Sequence, residues 1–183
     1  MVMNKDVLFS LTKGGFAPQE EMLEVARKKG KLYIGIPKEI AFQENRVALV
    51  PDAVALIVNN GHRVVVETNA GKAANFEDTD YSEAGAEIVL SPNDVYKADT
   101  IFKIAPPTLE EIELMQPKQT LFSALQLTVQ PQDFLKKLIS KKLNCVAFDL
   151  VLDDVGIFPI IRAMGEIAGG TSISIAAELL SNV

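Results

Sequence analysis

The chain has 183 residues, 48% of them apolar and 23% charged, which is enough for one hydrophobic core and gives no sign of disorder. Its net charge of −6 argues against nucleic acid and against membrane contact, because a negative protein is repelled by anionic surfaces. The single cysteine and single histidine exclude an intramolecular disulfide framework and make a metal site improbable. The N-terminal apolar run is too short for a secretory signal or a membrane span, so we expect a cytoplasmic protein.

The first 30 residues are predicted to be an extension separate from the domain that follows. Pro18 starts a segment, APQEEMLEVARKKG, that has acidic residues in its first turn, basic residues in its last turn and Gly30 just beyond. These are the signals of a capped helix. We expect this helix to be an arm that packs against the domain or against a neighbouring subunit.

Residues 31–183 alternate short apolar strands with helical segments. The predicted strands are LYIGIP, HRVVVET, AEIVL, TIFKIA, TLFSALQL and NCVAFDLVL, and segments such as PDAVALIVNNG and PQDFLKKLISKK form helices between them. This alternation predicts one α/β domain with a doubly wound, mostly parallel sheet of the flavodoxin-like or Rossmann-like kind. The last of these strands is apolar almost throughout, which predicts a central strand with a buried Cys145. The segment from Pro159 to Val183 predicts a helix that is broken near Gly169 and Gly170.

Three polar residues follow or end predicted strands, where ligands bind in open α/β sheets. Arg46 lies between the first strand and the first helix of the domain, and its planar guanidinium can hold a carboxylate through two hydrogen bonds. Lys103 lies in TIFKIA near the carboxyl end, and Gln126 lies in the strand TLFSALQL. The alternative for Arg46 is a surface ion pair with Glu44. The three residues together predict a pocket for a small organic acid.

The sequence contains neither GxGxxG after a strand nor a phosphate-binding P-loop. We therefore do not expect this chain to carry a complete dinucleotide site. The only histidine, His62, follows a glycine that ends a helix and precedes a strand, a place typical of a cap or strand-edge residue rather than a catalytic base.

Two long blocks, YIGIPKEI…ENRVALVPDAVALIVNNG and GHRVVVET…DTDYSEAGAEIV, resemble the N-terminal domains of alanine dehydrogenases and NAD(P) transhydrogenase alpha subunits. The resemblance implies a longer protein in which this domain holds the substrate and a second, Rossmann domain, absent from this chain, binds NAD. It implies a 2-oxo acid or amino acid as the small-molecule partner, with its carboxylate held by Arg46, and Lys103 is kept as a second candidate substrate-binding residue. It also implies a homo-oligomer, and it leaves open whether the cofactor is NAD or NADP.

The sequence departs from the dehydrogenase pattern at two substrate positions. The family strand resembling KVKEP reads KIAPP here, so Lys103 remains and Ala105 replaces the second lysine. The catalytic histidine of the family is replaced by Gln126, which forms hydrogen bonds but does not exchange a proton near neutral pH. Because general acid–base help is worth about 10²–10⁴ in rate, ordinary alanine deamination is called into question.

The C-terminal segment GIFPIIRAMGEIAG resembles the dehydrogenase pattern, whose methionine and serine approach NAD. The resemblance gives Met164 and Gly165 as cofactor-contacting positions, with Gly165 in the place of the serine. The first hypothesis is therefore an alanine dehydrogenase-like oxidoreductase, active only as a full-length protein. The alternatives are a transhydrogenase-like hydride-transfer domain, to which KIAPP is similar, and a binding or assembly domain that has lost its catalytic activity.

Overall fold

A computed structural model describes residues 30–181. The described elements belong to a compact unit that runs from Leu32 to Val183. The helix predicted after Pro18, and with it the predicted arm, lies outside the described residues. Whether residue 30 is a domain boundary stays a prediction.

Six short strands form the sheet of the described unit. Their bounds are β1 Tyr33–Ile36, β2 Arg63–Glu67, β3 Glu87–Val89, β4 Thr100–Phe102, β5 Thr120–Ser123 and β6 Asn144–Ala147. The strands are ordered β3-β2-β1-β4-β5-β6, and all five neighbouring pairs are parallel. The predicted doubly wound parallel α/β fold is confirmed. The chain builds the sheet outward from β1 in one direction and then in the other, which leaves a crevice between β1 and β4.

Six α-helices connect or follow these strands among residues 30–181. They are α1 Pro51–Asn59, α2 Asp78–Glu83, α3 Pro92–Val95, α4 Leu109–Leu114, α5 Gln132–Ser140 and α6 Pro159–Ser181. Proline at the first turn favours the start of α1, because its missing N–H would have no helical partner there. Thr108 begins α4 with a capping box, in which its side chain accepts the Glu111 N–H and Glu111 accepts the Thr108 N–H.

Two hydrophobic cores cover the two faces of the sheet. Alternation along β2 divides its valines between them: Val64 and Val66 belong to the core that contains α1 and α2 residues, and Val65 belongs to the other core. The second core contains residues of α4 and α5, among them Ile112 and Phe134. Helices therefore lie on both faces, which leaves the carboxyl edge of the sheet open for a site.

Three expectations about the end of the chain are wrong. The sixth strand is at the edge of the sheet, so Cys145 is exposed rather than buried in a central strand. An apolar sequence does not by itself distinguish a central strand from an edge strand. Gly169 and Gly170 do not break α6, which runs as one helix of 23 residues. Within residues 30–181, no helix combines the length and the apolar character needed to span a bilayer.

Candidate active site

The carboxyl ends of β1, β4, β5 and β6 supply most of the candidate site. The loop after β1 carries Arg46, the residue after β4 is Lys103, and the turn after β5 carries Gln126. Since parallel strands end at the same edge of the sheet, residues that are distant in sequence meet there. One cavity of about 570 Å³ lies at this edge.

Arg46 lines this cavity and forms a two-point ion pair with Glu44. Its Nε donates to Glu44 Oε1 at 2.8 Å and its Nη2 donates to Glu44 Oε2 at 2.6 Å. The Arg46 side chain is 52% exposed, so the guanidinium lies between solvent and the cavity. A guanidinium has five N–H donors, and Glu44 uses only two of them in this arrangement. Among residues 30–181, no other group accepts a hydrogen bond from the remaining Nη1 and Nη2 donors, so these can bind a second carboxylate.

The same pair sets the protonation of both groups. The side-chain hydrogen bond from Arg46 lowers the pKa of Glu44, and the bond to Glu44 raises the pKa of Arg46. Both effects stabilise the charged forms, so the guanidinium stays a cation at any pH of interest. Glu44 therefore orients Arg46. The Arg46–Glu44 ion pair, which the sequence analysis gave as an alternative, is compatible with ligand binding by Arg46.

Gln126 also lines the cavity, but from a turn rather than from a strand. β5 ends at Ser123, and Gln126 follows with a φ of +48°, in the left-handed region. Few residues other than glycine adopt this conformation without support. The Gln126 carbonyl accepts the Val129 N–H at 3.0 Å, which closes the turn. The prediction that Gln126 lies within a strand is thus wrong, although its side chain lies at the predicted edge of the sheet.

Lys103 does not line the cavity that contains Arg46 and Gln126. Its side chain is 1% exposed, and its Nζ donates to Glu39 at 3.0 Å and to Glu111 at 2.8 Å. Tyr96 also donates its hydroxyl to Glu111, and burial raises the pKa of Tyr96 above its ordinary value. Lys103 instead lines a neighbouring cavity of about 390 Å³. Its role as a direct substrate ligand stays a prediction.

The ion-pair network of Lys103 is connected to the main cavity through the backbone of Ile104. Glu39 accepts the backbone N–H of Ile104 at 2.5 Å, and Ile104 lines the cavity beside Ala124. Ala105 has no ionisable group, and its carbonyl accepts the Ser123 hydroxyl at 2.8 Å. In the described part of the chain, Arg46 is therefore the cation that faces the cavity.

The N-terminal end of α6 forms the outer wall of the cavity. Met164 lines it together with Ile160 and Ile161. A Cβ added at Gly165 would have no heavy atom within 4 Å, so this position is open. The structure brings Arg46, Gln126 and Met164 to one cavity, and leaves Gly165 beside it on α6.

Asp149 is a cavity residue that the sequence analysis missed. It lies in the 3₁₀ turn Phe148–Leu150 directly after β6, and its carboxylate accepts the N–H groups of Leu125 and Gln126 at 3.2 and 3.1 Å. The signal in the sequence was a lone acid within an apolar run, VAFDLVL, at the carboxyl end of a strand. The rest of the lining is mostly aliphatic or aromatic: Val47, Val50, Ala74, Phe76, Ile104, Ala124 and Phe148. The arrangement can hold a small organic acid, with its carboxylate at Arg46 and its carbon atoms against the apolar lining.

Residues 35–168 match the family model described as alanine dehydrogenase/PNT, N-terminal domain. The chain is 38% identical over 149 residues to the alanine dehydrogenase of Bacillus subtilis (strain 168), covering 81% of this chain and 39% of that protein. It is 40% identical over 147 residues to an alanine dehydrogenase of Staphylococcus epidermidis, covering 80% of this chain and 39% of that protein. The chain thus spans about two fifths of the length of these relatives.

Solved structures give the same result. A structure of L-alanine dehydrogenase superposes with a TM-score of 0.75 at 37% identity and covers 78% of this chain and 39% of that one. A transhydrogenase structure from Sinorhizobium meliloti has a TM-score of 0.60 at 26% identity and covers 64% of this chain and 33% of that one. Both similarities extend to sequence as well as to fold.

Proposed function

The chain belongs to the alanine dehydrogenase/PNT N-terminal domain family, and from that membership we propose that it is the substrate-binding domain of an NAD-dependent, alanine dehydrogenase-like oxidoreductase. The observation that carries the proposal is the position of Arg46 beside an apolar cavity at the sheet edge, with guanidinium donors that no residue in the described part of the chain occupies. The ligand is a small 2-oxo acid or amino acid such as pyruvate or alanine. The reaction of the full-length protein is reversible oxidative deamination.

Arg46 binds the substrate carboxylate through the donors that Glu44 leaves free. Glu44 fixes the guanidinium plane, so less side-chain freedom is lost when the substrate binds. A charge-assisted pair between a guanidinium and a carboxylate is stronger than a hydrogen bond between neutral groups. The apolar lining surrounds the remainder of a small acid.

Gln126 orients the carbonyl or amino group of the substrate. Its side-chain amide donates and accepts hydrogen bonds, so it can hold a carbonyl oxygen or a water molecule, but it leaves proton transfer to another group. Asp149 also faces the cavity, with both carboxylate oxygens already accepting backbone N–H groups. The altered Ala105 and Gln126 positions make turnover slower than in a protein with lysine and histidine there.

NAD is proposed as the cofactor, bound mainly by a domain that this chain does not contain. The residues of this chain that would touch it are Met164, whose side chain faces the cavity, and Gly165, whose open surroundings admit close approach. An apolar wall of this kind fits the flat face of a nicotinamide ring, and NAD would supply the hydride acceptor. We also propose that the full-length protein is a cytoplasmic homo-oligomer.

A transhydrogenase-like function is the second candidate. It is favoured by the KIAPP sequence and by the burial of Lys103 between Glu39 and Glu111, which leaves the cavity with few groups suited to proton transfer. Exchange of hydride between two nucleotides needs no proton donor from the protein. Ammonia-dependent NADH consumption with pyruvate by the full-length protein would argue for deamination against this candidate.

The proposal is tested by measuring pyruvate binding to the chain by NMR titration. Replacing Arg46 with alanine is expected to weaken pyruvate binding at least about tenfold, because a hydrogen-bonded charge pair contributes more than a neutral one. Arg46→Lys keeps the positive charge but lacks the planar pair of donors, so its pyruvate affinity is expected to lie between those of the unaltered chain and Arg46→Ala.

The matched control is Arg63→Ala. Arg63 forms the same two-point pair with Glu87 at 2.7 Å, but on β2 and outside the cavity. Its loss is expected to leave pyruvate affinity unchanged. If Arg46→Ala and Arg63→Ala bind pyruvate as well as the unaltered chain, the proposed function is wrong.

A further inference from the structure

The turn that carries Gln126 is held from a different strand. Asp149 follows β6, whereas Leu125 and Gln126 follow β5, and the two strands are neighbours with Ser123 opposite Ala147. Where the ladder between these strands ends, the Asp149 carboxylate continues the connection: Oδ1 accepts the Leu125 N–H at 3.2 Å and Oδ2 accepts the Gln126 N–H at 3.1 Å. One side chain therefore satisfies two consecutive backbone donors.

The second of these donors belongs to the residue with the unusual backbone. A φ of +48° is costly for glutamine because the side chain crowds the backbone, so the conformation persists only where the surroundings enforce it. Leu125 is anchored in the core with 2% exposure, and its carbonyl accepts the side-chain amide of Gln130 at 3.1 Å. Asp149 thus holds Gln126 between a fixed neighbour and a closed turn.

We propose that Asp149 is a positioning residue, which acts on substrate binding by fixing the backbone of Gln126 so that its side chain faces the cavity. This inference rests on the proposed function, because it assigns Gln126 the substrate contact. It goes beyond that function by naming a residue that acts through hydrogen bonds to the turn. A carboxylate suits the task because hydrogen bonds to a charged acceptor are stronger than neutral ones.

The first test measures the conformation of Gln126 without any ligand. Backbone chemical shifts and amide hydrogen exchange of Leu125 and Gln126 are compared between the unaltered chain and Asp149→Ala. We expect the variant to lose the left-handed shifts of Gln126 and to exchange both amides at least about tenfold faster, because each amide loses a charged acceptor. If the chemical shifts and the amide exchange rates of Leu125 and Gln126 do not change, the inference is wrong, independently of the result for pyruvate binding.

The second test asks whether Asp149 acts through Gln126. In the unaltered background, Asp149→Ala is expected to weaken pyruvate binding about fivefold, the scale of one misplaced neutral hydrogen bond. In a Gln126→Ala background the same change is expected to cost less than about twofold, because the group that Asp149 positions is already missing. Equal losses in both backgrounds overturn the positioning role.

Asp78→Ala is the matched control. Asp78 accepts the Asn69 N–H at 2.7 Å and the Thr68 hydroxyl at 2.6 Å, and Asn69 has a φ of +60° at the end of β2, outside the cavity. The Asp78→Ala variant should loosen the turn at Asn69 and leave pyruvate affinity unchanged. Asp149→Glu should recover part of the affinity. If the unaltered chain fails to bind pyruvate, the proposed function fails, while the ligand-free test still decides whether Asp149 fixes Gln126.

Discussion

Lys103 is a fully buried cation, and two carboxylates compensate for its burial. Its side chain is 1% exposed, and those of Glu39 and Glu111 are 5% and 8% exposed. Taking a charge out of water is costly unless it is paired and hydrogen-bonded, and all three side chains have partners. The network joins the loop after β1, the end of β4 and the start of α4, so it fixes the elements on either side of the crevice.

Replacing Lys103 with methionine is expected to destabilise the chain by about 3–5 kcal/mol, because two buried carboxylates lose their cation. Urea unfolding followed by circular dichroism measures this. Lys97→Met is the control: Lys97 pairs with Asp94 at 2.6 Å, but the pair is exposed, and its loss should cost at most about 1 kcal/mol. Equal small losses for both variants would contradict the assigned role of the buried pair.

The sequence marks single residues but not their partners. Arg46 is predicted from its place between the first strand and the first helix and from the ENRVALVP resemblance, and Gln126 from its place in an apolar strand; both line the cavity. Lys103 gave the same signal, yet it pairs with Glu39, distant in sequence, and pairing at that separation depends on sheet order. Asp149 was missed for a related reason, since its function follows from the pairing of β5 with β6.

At the scale of elements, the close packing of α3 against β1 depends on Gly35. A Cβ at this position would lie 2.6 Å from the Val95 carbonyl oxygen and 3.0 Å from Ile101 Cδ1. The backbone oxygen cannot move without disturbing α3, whereas a flexible side chain could. Gly35 therefore allows the end of α3 to approach the strand beside the crevice.

Gly35→Ala is expected to destabilise the chain by about 1–3 kcal/mol through overpacking, despite the general preference of strands for residues other than glycine. Thermal unfolding measures the change. Gly169→Ala is the control, because a Cβ there meets no atom within 4 Å and alanine favours the helix by up to about 1 kcal/mol. A stabilising effect of Gly35→Ala would show that α3 does not pack as described.

Element order and type were predictable, whereas element ends were less so. Alternation of apolar strands with proline-started helices gave all six strands, because both periods are written locally in the sequence. The end of β5 was placed too late because Ala124 to Leu127 continue the apolar pattern of the strand. Beyond Ser123, the N–H groups of Leu125 and Gln126 bond to Asp149, a long-range contact that has no local signal.

At the scale of the whole molecule, α6 is exposed along its length and carries many apolar side chains. Between Ile167 and Ala177 it carries no charged side chain, and Ile167, Ile173, Ile175 and Leu179 are all more than half exposed. Apolar surface exposed over this length usually marks a contact surface.

The 183-residue chain alone is expected to show no NADH consumption with pyruvate and ammonia. Its sequence has no glycine-rich fingerprint to hold the pyrophosphate of a dinucleotide, so we expect that no NADH is held in place for hydride transfer. NADH fluorescence over time measures this, with a full-length alanine dehydrogenase assayed alongside. Steady loss of NADH with the chain alone would contradict the proposal that this domain binds the substrate and a second domain binds NAD.

The cavity is lined by the segments after β1, β5 and β6, so it forms only when the whole sheet has formed. A ligand that fits it should recognise the finished fold and no partly folded form. Mass action then makes such a ligand a thermodynamic reporter: its presence should raise the unfolding temperature in proportion to the logarithm of its concentration. Screening small acids by thermal shift would thus rank candidate substrates before any catalytic assay is possible.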